Sequence, residues 1–263
     1  MKFTVGDVEI FATTGGRPFQ PELPGIVFLH GAGMDRTVWA LQTRYFAHHG
    51  FSVVAVDLPG HGLSGGEPRE SIEAWAGWIP ELIEALGIKE VSLVGHSMGS
   101  LIALEGAARF PDRIKRLALL GTALRMPVHP DLLQAAQENL PLASELIASW
   151  GHGRVGHLGG TAVPGMSLIG GGVSLLSTGT PGVLGQDLAV CNAYGGGKEA
   201  AAKVSCPTLC LLGAEDRMTP AREGKKLADA LAGSELSVLS GAGHMMMLEA
   251  PDATLDALRQ WFS

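Results

Sequence analysis

The stretch that decides the fold of this chain is Val91-Ser92-Leu93-Val94-Gly95-His96-Ser97-Met98-Gly99. Its first part is a short, mostly apolar run bounded by glycine, which is typical of a buried strand. Residues Met98–Arg109 then have a helical pattern that stops before Phe110-Pro111. In a chain with 37 glycines, the pattern Gly-x-Ser-x-Gly alone is weak. Its place between a strand and a helix makes it a strong signal for a tight turn that exposes Ser97.

Similar apolar runs recur on both sides of this stretch, and helical patterns separate them. Continuous apolar runs predict strands of a parallel sheet that is covered on both faces. The alternation therefore predicts an α/β fold with a mostly parallel, doubly wound sheet. The predicted strands are Gly25–His30, Ser52–Asp57, Val91–Gly95, Arg116–Gly121, Thr208–Gly213 and Glu235–Leu239, and the predicted helices include Ser71–Leu86, Ala221–Leu231 and Asp252–Phe262.

Two local features qualify this pattern. Lys2–Val5 and Val8–Thr13 alternate around Gly6-Asp7, which predicts an antiparallel hairpin at one edge of the sheet. Pro80 falls inside the helical pattern 71–86 and predicts a kink or a break there.

One long segment interrupts the alternation. We predict a single α/β core in residues 1–123 and 204–263, with residues 124–203 inserted as a cap or lid. Within the insertion, Asp131–Trp150 has a helical pattern apart from Pro141. Residues 151–197 hold 15 of the 37 glycines and only two charged residues, Arg154 and Asp187, with apolar residues such as Leu158 and Met166. This composition predicts a cap packed over the core on glycine hinges. The alternative is a loop-rich structural insertion without a gating role.

The charge balance limits the partners that we expect. The 263 residues have a formal net charge of −7 and no cluster of Lys and Arg. We therefore expect no nucleic-acid partner and no stable membrane association. The alternating residues Met1–Ile10 predict a strand instead of a secretion signal, so a cytoplasmic location is the expectation. A monomer or a homodimer would fit equally well.

The remaining sequence offers few signs of a metal or a disulfide. Cys191, Cys206 and Cys210 are odd in number and lack a Cys-x-x-Cys pair. His152 and His157 are a weak metal-binding pair because no third ligand is evident. We predict neither a metal site nor a cofactor.

A serine hydroxyl is a poor nucleophile at neutral pH unless a base lies beside it and another group orients that base. His244 is the candidate base, since it lies in a glycine-rich loop between the strand-like Glu235–Leu239 and the last helix. Asp216 is the candidate acid, since its loop follows the strand Thr208–Gly213 and active sites lie at the carboxyl ends of parallel strands. Its neighbour Glu215 is the competing candidate.

An attacked carbonyl also needs donors for the negative charge that develops on its oxygen, and two backbone N–H groups usually supply them. The residue after the nucleophile is Met98. The loop after the strand Gly25–His30 contains Ala32 and Gly33. We predict an oxyanion hole formed by Met98 and Ala32, with Gly33 as the alternative to Ala32.

Together these pieces resemble the α/β-hydrolase superfamily over residues 1–123 and about 204–263. The motifs that carry the resemblance are His30-Gly31, Asp57-Leu58-Pro59-Gly60-His61-Gly62-Leu63-Ser64, Gly95–Gly99, Gly213-Ala214-Glu215-Asp216 and Gly243-His244. The resemblance implies a triad in the chain order Ser97, Asp216, His244. It also implies that Asp57–Ser64 is a bracing turn, so Asp57 and His61 are assigned a structural role. A serine at position 97, where dehalogenase-like and epoxide-hydrolase-like members carry aspartate, indicates an acyl intermediate.

The resulting prediction is a serine hydrolase, a carboxylesterase for small apolar esters that works through an acyl-enzyme. The same triad would also serve a thioesterase, an acyl transferase, a perhydrolase or a carbon–carbon bond hydrolase. A ligand-binding receptor with slow or no turnover is a further alternative.

Overall fold

The computed structural model describes residues 1–161 and 165–263. An eight-stranded sheet in the order β1-β2-β4-β3-β5-β6-β7-β8 forms the centre of the fold. The pairs β1–β2 and β2–β4 are antiparallel, and all the other pairs are parallel. This confirms the predicted α/β class, the mostly parallel sheet and the hairpin at its edge. The strands are β1 Lys2–Val5, β2 Val8–Thr13, β3 Gly25–Leu29, β4 Ser52–Val56, β5 Val91–His96, β6 Ile114–Leu120, β7 Thr208–Gly213 and β8 Glu235–Leu239.

Helices lie on both sides of the sheet, and two 3₁₀ turns cover Arg36–Trp39 and Pro111–Arg113. Among the residues that the structure describes, six helices, α4 to α9, fall between β6 and β7, in the segment predicted as an insertion. The helices are α1 Ala40–Ala47, α2 Ile72–Ala85, α3 Met98–Arg109, α4 Pro130–Gln137, α5 Pro141–Gly151, α6 Arg154–His157, α7 Leu168–Ser177, α8 Val183–Ala193, α9 Gly197–Ala201, α10 Ala221–Ala230, α11 Met246–Glu249 and α12 Pro251–Phe262.

The sheet brings distant loops to one edge. Every residue of β4, β5 and β7 is buried, as expected for strands covered by helices on both faces. Since β3, β5, β7 and β8 run parallel, their carboxyl ends meet at the same edge. The loops that follow these strands contain Ala32, Ser97, Asp216 and His244 respectively. Residues far apart in the chain therefore open onto one region.

Two prolines fall in predicted helical patterns, with different outcomes. Pro80 lies inside α2, which runs from Ile72 to Ala85 without the break that was one of the two predictions, and the kink stays a prediction. The buried face of α2, including Ile79 and Ile83, offsets the loss of one helical hydrogen bond, which costs about 3 kcal/mol. The pattern 131–150 forms two helices, because the chain turns at Asn139 with φ 55° and Pro141 begins the second helix.

The glycine-rich part of the insertion is more regular than predicted. Helices α6 to α9 occupy much of the stretch expected to act as hinges, with α8 packed on α4 and α7 on α5. The exposed fractions of Leu158 and Met166 are 77% and 53%, so these two side chains contribute little to a core. The domain boundaries and the lid role stay predictions. In the described ranges, no helix is long and apolar enough to cross a membrane.

The motif assigned to a bracing turn contains a buried ion pair. Asp57 is fully buried, and its carboxylate accepts hydrogen bonds from the Arg36 backbone N–H at 2.8 Å, the Arg36 guanidinium at 2.6 Å and the Leu63 N–H at 2.9 Å. The turn after β4 is thereby joined to the loop after β3.

We expect Asp57→Ala to lower the free energy of unfolding by about 3 kcal/mol, because it leaves the Arg36 charge and two amides without their acceptor. Urea denaturation followed by circular dichroism would measure the change. Glu9→Ala is the control, since its pair with Lys2 is 59% exposed on both sides; removing it should change stability by less than about 1 kcal/mol. Equal effects of the two variants would show that Asp57 does not brace the turn.

Candidate active site

Ser97 lies between β5 and α3 in a backbone conformation that a non-glycine residue rarely adopts, with φ 53° and ψ −119°. Its N–H donates to the Leu120 carbonyl at 2.9 Å, which ties the turn to the neighbouring strand β6. A Cβ at Gly95 would lie 2.2 Å from the Gly99 carbonyl oxygen, and a Cβ at Gly99 would lie 2.4 Å from the Leu29 carbonyl oxygen. Both glycines are therefore required for the close approach that holds Ser97 at the end of the strand.

His244 and Asp216 form a buried pair. His244 Nδ1 lies 2.7 Å from Asp216 Oδ2. The Met218 and Thr219 N–H groups donate to Asp216 Oδ1 at 2.9 and 2.8 Å, and the Thr219 hydroxyl donates to Oδ2 at 2.7 Å. Burial would raise the pKa of Asp216, but His244 and the Thr219 hydrogen bonds outweigh burial and lower it. The charged carboxylate holds the proton on Nδ1 of His244, which leaves Nε2 free to act as a base.

The residue before Ser97 holds the loop that carries His244. His96 Nε2–H donates to the His244 carbonyl oxygen at 2.9 Å, and the two rings lie 4.6 Å apart. Burial, together with the neighbouring His244, lowers the pKa of His96 to about 3. His96 is therefore neutral and acts as a donor to the backbone. In the motif Gly-x-Ser-x-Gly, position 96 can be any residue, and no local sequence pattern indicates that His96 would contact the His244 backbone.

Two backbone amides near Ser97 are free to receive an oxyanion. Among the described residues, nothing accepts a hydrogen bond from the N–H of Met98 or of Ala32. The N–H of Gly33 donates to Asp187 Oδ2 at 2.8 Å. Gly33, the alternative donor, is therefore already engaged, and the two preferred candidates are the amides that remain available.

Ser97, His244 and Ala32 line one cavity of about 520 Å³. Much of its wall comes from the inserted segment, through α4, α5, α8 and the residues before α4. Among the described lining residues, Arg217 is the one side chain with a permanent charge. The apolar wall residues from the insertion are Met126, Pro127, Val128, Leu132, Ile147, Trp150, Leu188 and Cys191. The glycine-rich stretch 151–197 contributes Leu188 and Cys191 to this wall, and the other residues precede it. No local pattern indicates which of these positions face the cavity, because only the tertiary packing brings them to Ser97.

The competing residues lie elsewhere. Glu215 Oε2 accepts a hydrogen bond from the Arg154 N–H at 2.7 Å, so this carboxylate faces the insertion and not His244. His152 Nδ1 and His157 Nε2 each bond a backbone carbonyl of α5. Within residues 1–161 and 165–263 there is no group of three side chains suited to a metal ion. The three cysteines are free thiols.

The sequence profile described as the Alpha/beta hydrolase family matches residues 26–257. The chain belongs to this family. The match includes most of the two predicted core segments and the whole of the predicted insertion, and it agrees with the resemblance drawn from the motifs.

Two named relatives indicate the kind of reaction that proteins at this level of sequence identity catalyse. The chain is 27% identical over 249 residues to the (E)-2-((N-methylformamido)methylene)succinate hydrolase of Acinetobacter baylyi, with 92% of this chain and 91% of that protein aligned. It is 31% identical over 248 residues to the pimeloyl-[acyl-carrier protein] methyl ester esterase of Chromobacterium violaceum, covering 90% and 93%. Both relatives are hydrolases, and hydrolase activity is what these similarities support.

A solved structure agrees on the fold. The enol-lactonase from Burkholderia xenovorans LB400 superposes with a TM-score of 0.86 over 100% of this chain and 99% of its own, at 24% identity. At that identity the likeness concerns the fold alone.

We expect Asp216→Asn to reduce the hydrolysis of p-nitrophenyl acetate by about 10³- to 10⁴-fold with little loss of structure, because an amide no longer holds the reactive tautomer of His244. Initial rates and circular dichroism would measure the two effects. Glu215→Gln is the matched control, since it removes the adjacent carboxylate, and its rate should stay within about 3-fold of the parent. A large loss in Glu215→Gln with a small one in Asp216→Asn would reverse the assignment.

Proposed function

We propose that this protein is a serine hydrolase that cleaves small carboxylic esters through an acyl-enzyme. The observation that carries the proposal is that Ser97 and the imidazole of His244 line one cavity, with His244 paired at 2.7 Å to the buried Asp216. A nucleophile, a base and an orienting carboxylate in that arrangement suit acyl transfer. Met98 and Ala32 supply the two free N–H groups that the reaction needs.

In the proposed reaction, His244 Nε2 takes the hydroxyl proton as Ser97 Oγ attacks the ester carbonyl. The Met98 and Ala32 N–H groups stabilise the negative oxygen of the tetrahedral intermediate. The intermediate collapses, the C–O bond to the alcohol breaks, and His244 returns the proton to the leaving oxygen. A water molecule, deprotonated by His244, then releases the acid and restores Ser97. Asp216 stabilises the imidazolium in both half-reactions.

The wall of the cavity supports a substrate with an apolar acyl or alcohol portion. Leu132, Ile147 and Leu188 present only hydrocarbon to the cavity, so a charged group packed against them would lose hydration without compensation, and Arg217 is the one permanently charged side chain among the described lining residues. A volume of about 520 Å³ suits a small molecule. The esterase name of the relative from Chromobacterium violaceum supports an ester as the cleaved bond.

Labelling with a fluorophosphonate and a chain-length series of p-nitrophenyl esters would test this function. We expect the parent to be labelled covalently and to be most active on short-to-medium acyl chains. Ser97→Ala should take no label, and its rate of hydrolysis should be lower by at least about 10³-fold. Ser240→Ala is the control, because Ser240 is an exposed serine in the loop of His244. Undiminished hydrolysis by Ser97→Ala would contradict the proposal.

The same preparation separates the other chemistries. Formation of methyl esters or hydroxamates in preference to the acid would identify an acyl transferase, and faster turnover of acyl thioesters than of matched oxygen esters would identify a thioesterase. Cleavage of a vinylogous diketone with poor ester turnover would identify a carbon–carbon bond hydrolase. Tight binding of an ester without a burst of p-nitrophenol would identify a receptor.

A further inference from the structure

The inserted segment contains a buried acid that the proposed reaction does not use. Asp187 lies on α8 and is fully buried. It is one of only two charged residues in the stretch 151–197. Its Oδ2 accepts two hydrogen bonds from the core, from the Gly33 N–H at 2.8 Å and from His61 Nε2–H at 2.7 Å. Its Oδ1 has no partner among the described residues. A buried carboxylate is costly, so its charge requires a compensating cation.

The hydrogen bonds of His61 indicate that it carries this compensating charge. Its Nδ1 lies 3.0 Å from the Pro59 carbonyl oxygen, an acceptor, and its Nε2 faces Asp187. Each ring nitrogen therefore holds a proton, and the ring is an imidazolium. Burial by itself lowers the pKa of His61, but the charge and hydrogen bond of Asp187, the Pro59 carbonyl and the charge of Asp57 together raise it.

The other ionisable groups around this pair leave its charge intact. The Asp57 carboxylate is paired with Arg36. The ring of His30 lies 4.9 Å from that of His61, and burial, together with the His61 charge, holds the pKa of His30 well below its ordinary value. His30 is therefore neutral, and Asp187 and His61 form an ion pair between the insertion and the core, with the Asp57 carboxylate adding to the stabilisation of the imidazolium.

The ion pair acts on the loop that contains Ala32. The Gly33 N–H belongs to the peptide unit between Ala32 and Gly33, so the bond to Asp187 fixes the orientation of that unit. Gly33 has φ +65°, and a Cβ built on it would lie 2.7 Å from Leu184 Cδ1 on α8. Helix α8 thus both covers the loop and holds it by a hydrogen bond, one residue from the free N–H of Ala32.

We propose that Asp187 and His61 are positioning residues that hold the Ala32 N–H in place for the oxyanion, so that the oxyanion hole is complete only when α8 is seated on the core. This inference rests on the proposed function of Ser97. The insertion would then contribute to the rate of the chemical step as well as to the wall of the cavity.

Asp187→Asn tests the proposal, because it keeps the shape of the side chain and removes the charge that holds His61. Tyr194→Phe is the matched control: it removes another buried hydrogen bond between the end of α8 and the core, from the Tyr194 hydroxyl to Glu105 Oε2 at 2.7 Å, and leaves Gly33 untouched. We expect Asp187→Asn to lower kcat for a p-nitrophenyl ester by about 10²-fold with KM within about 3-fold, since a misplaced donor acts in the transition state. Tyr194→Phe should change neither constant by more than about 3-fold.

An inhibitor that forms an oxyanion gives a sharper readout than the rate. An alkyl trifluoromethyl ketone adds to the active serine and places a negative oxygen in the hole, whereas the matching methyl ketone stays a ground-state ligand. We expect Asp187→Asn to weaken the first by about 10- to 100-fold and the second by less than about 3-fold. Equal weakening of both, or the same losses in Tyr194→Phe, would mean that Asp187 only anchors the insertion and would overturn the proposal.

The pH dependence supplies a signature that belongs to the ion pair. Because the pKa of His61 in the folded protein is raised, the stabilisation by the pair is complete below about pH 6.5, the unfolded value, and is lost as pH rises through the folded value. We expect kcat of the parent to fall on the alkaline side, and the low kcat of Asp187→Asn to show no such fall. An unchanged alkaline fall in Asp187→Asn would contradict the role of His61.

Amide NMR of the same proteins, labelled with ¹⁵N-glycine and ¹⁵N-alanine, keeps the test independent of catalysis. We expect faster hydrogen exchange of the Gly33 amide and a shifted Ala32 resonance in Asp187→Asn but not in Tyr194→Phe. If the parent hydrolyses no ester and takes no fluorophosphonate, the proposed function fails, and these amide signals still report whether Asp187 holds the loop. Should Asp187→Asn fail to fold, His61→Gln removes the other charge of the pair, from the core side.

Discussion

The close approach of backbone at Ser97 is the constraint on which the rest of the site depends. Glycine at positions 95 and 99 lets the turn pack within van der Waals contact of β3 and of its own helix, and the Ser97 N–H bonds to the Leu120 carbonyl. A backbone at φ 53° is strained and persists only where its surroundings hold it. The buried strands β3, β5 and β6 provide that support, and the free Met98 N–H at the start of α3 is a direct result.

Three buried carboxylates near one edge of the sheet hold loops in place in the same way. Asp57, Asp216 and Asp187 each accept backbone N–H groups of a loop and each face a cationic or imidazole partner. An uncompensated carboxylate in such a place is costly, so each pair fixes its loop in one arrangement. Two of these acids belong to the core motifs. The third comes from the insertion, and in our proposal it joins α8 to the loop that contains Ala32.

Family membership bears on the type of reaction, whereas the lining of the cavity bears on the choice of substrate. Membership in the α/β-hydrolase family, with named relatives that are hydrolases, defines the kind of reaction. The side chains around Ser97 that would contact a substrate come mostly from residues 126–129 and from α4, α5 and α8. In that segment the sequence signals were a helical pattern over 131–150 and a glycine-rich composition after it, and neither names a substrate. Function at the level of bond type and function at the level of substrate therefore depend on different parts of the chain.

The sequence by itself determined the α/β class, most strand bounds and the candidate residues Ser97, Asp216, His244, Ala32 and Met98, because periodicity, turn glycines and short motifs are local. It did not determine that Pro80 stays inside a helix or that the glycine-rich stretch forms helices; in α2 and α8, burial of an apolar face outweighs local propensity. Only the tertiary structure decided the contacts of His96 with the His244 backbone and of Asp187 with Gly33 and His61. The last two join residues 154 and 126 positions apart, and no local pattern encodes a pairing over that distance.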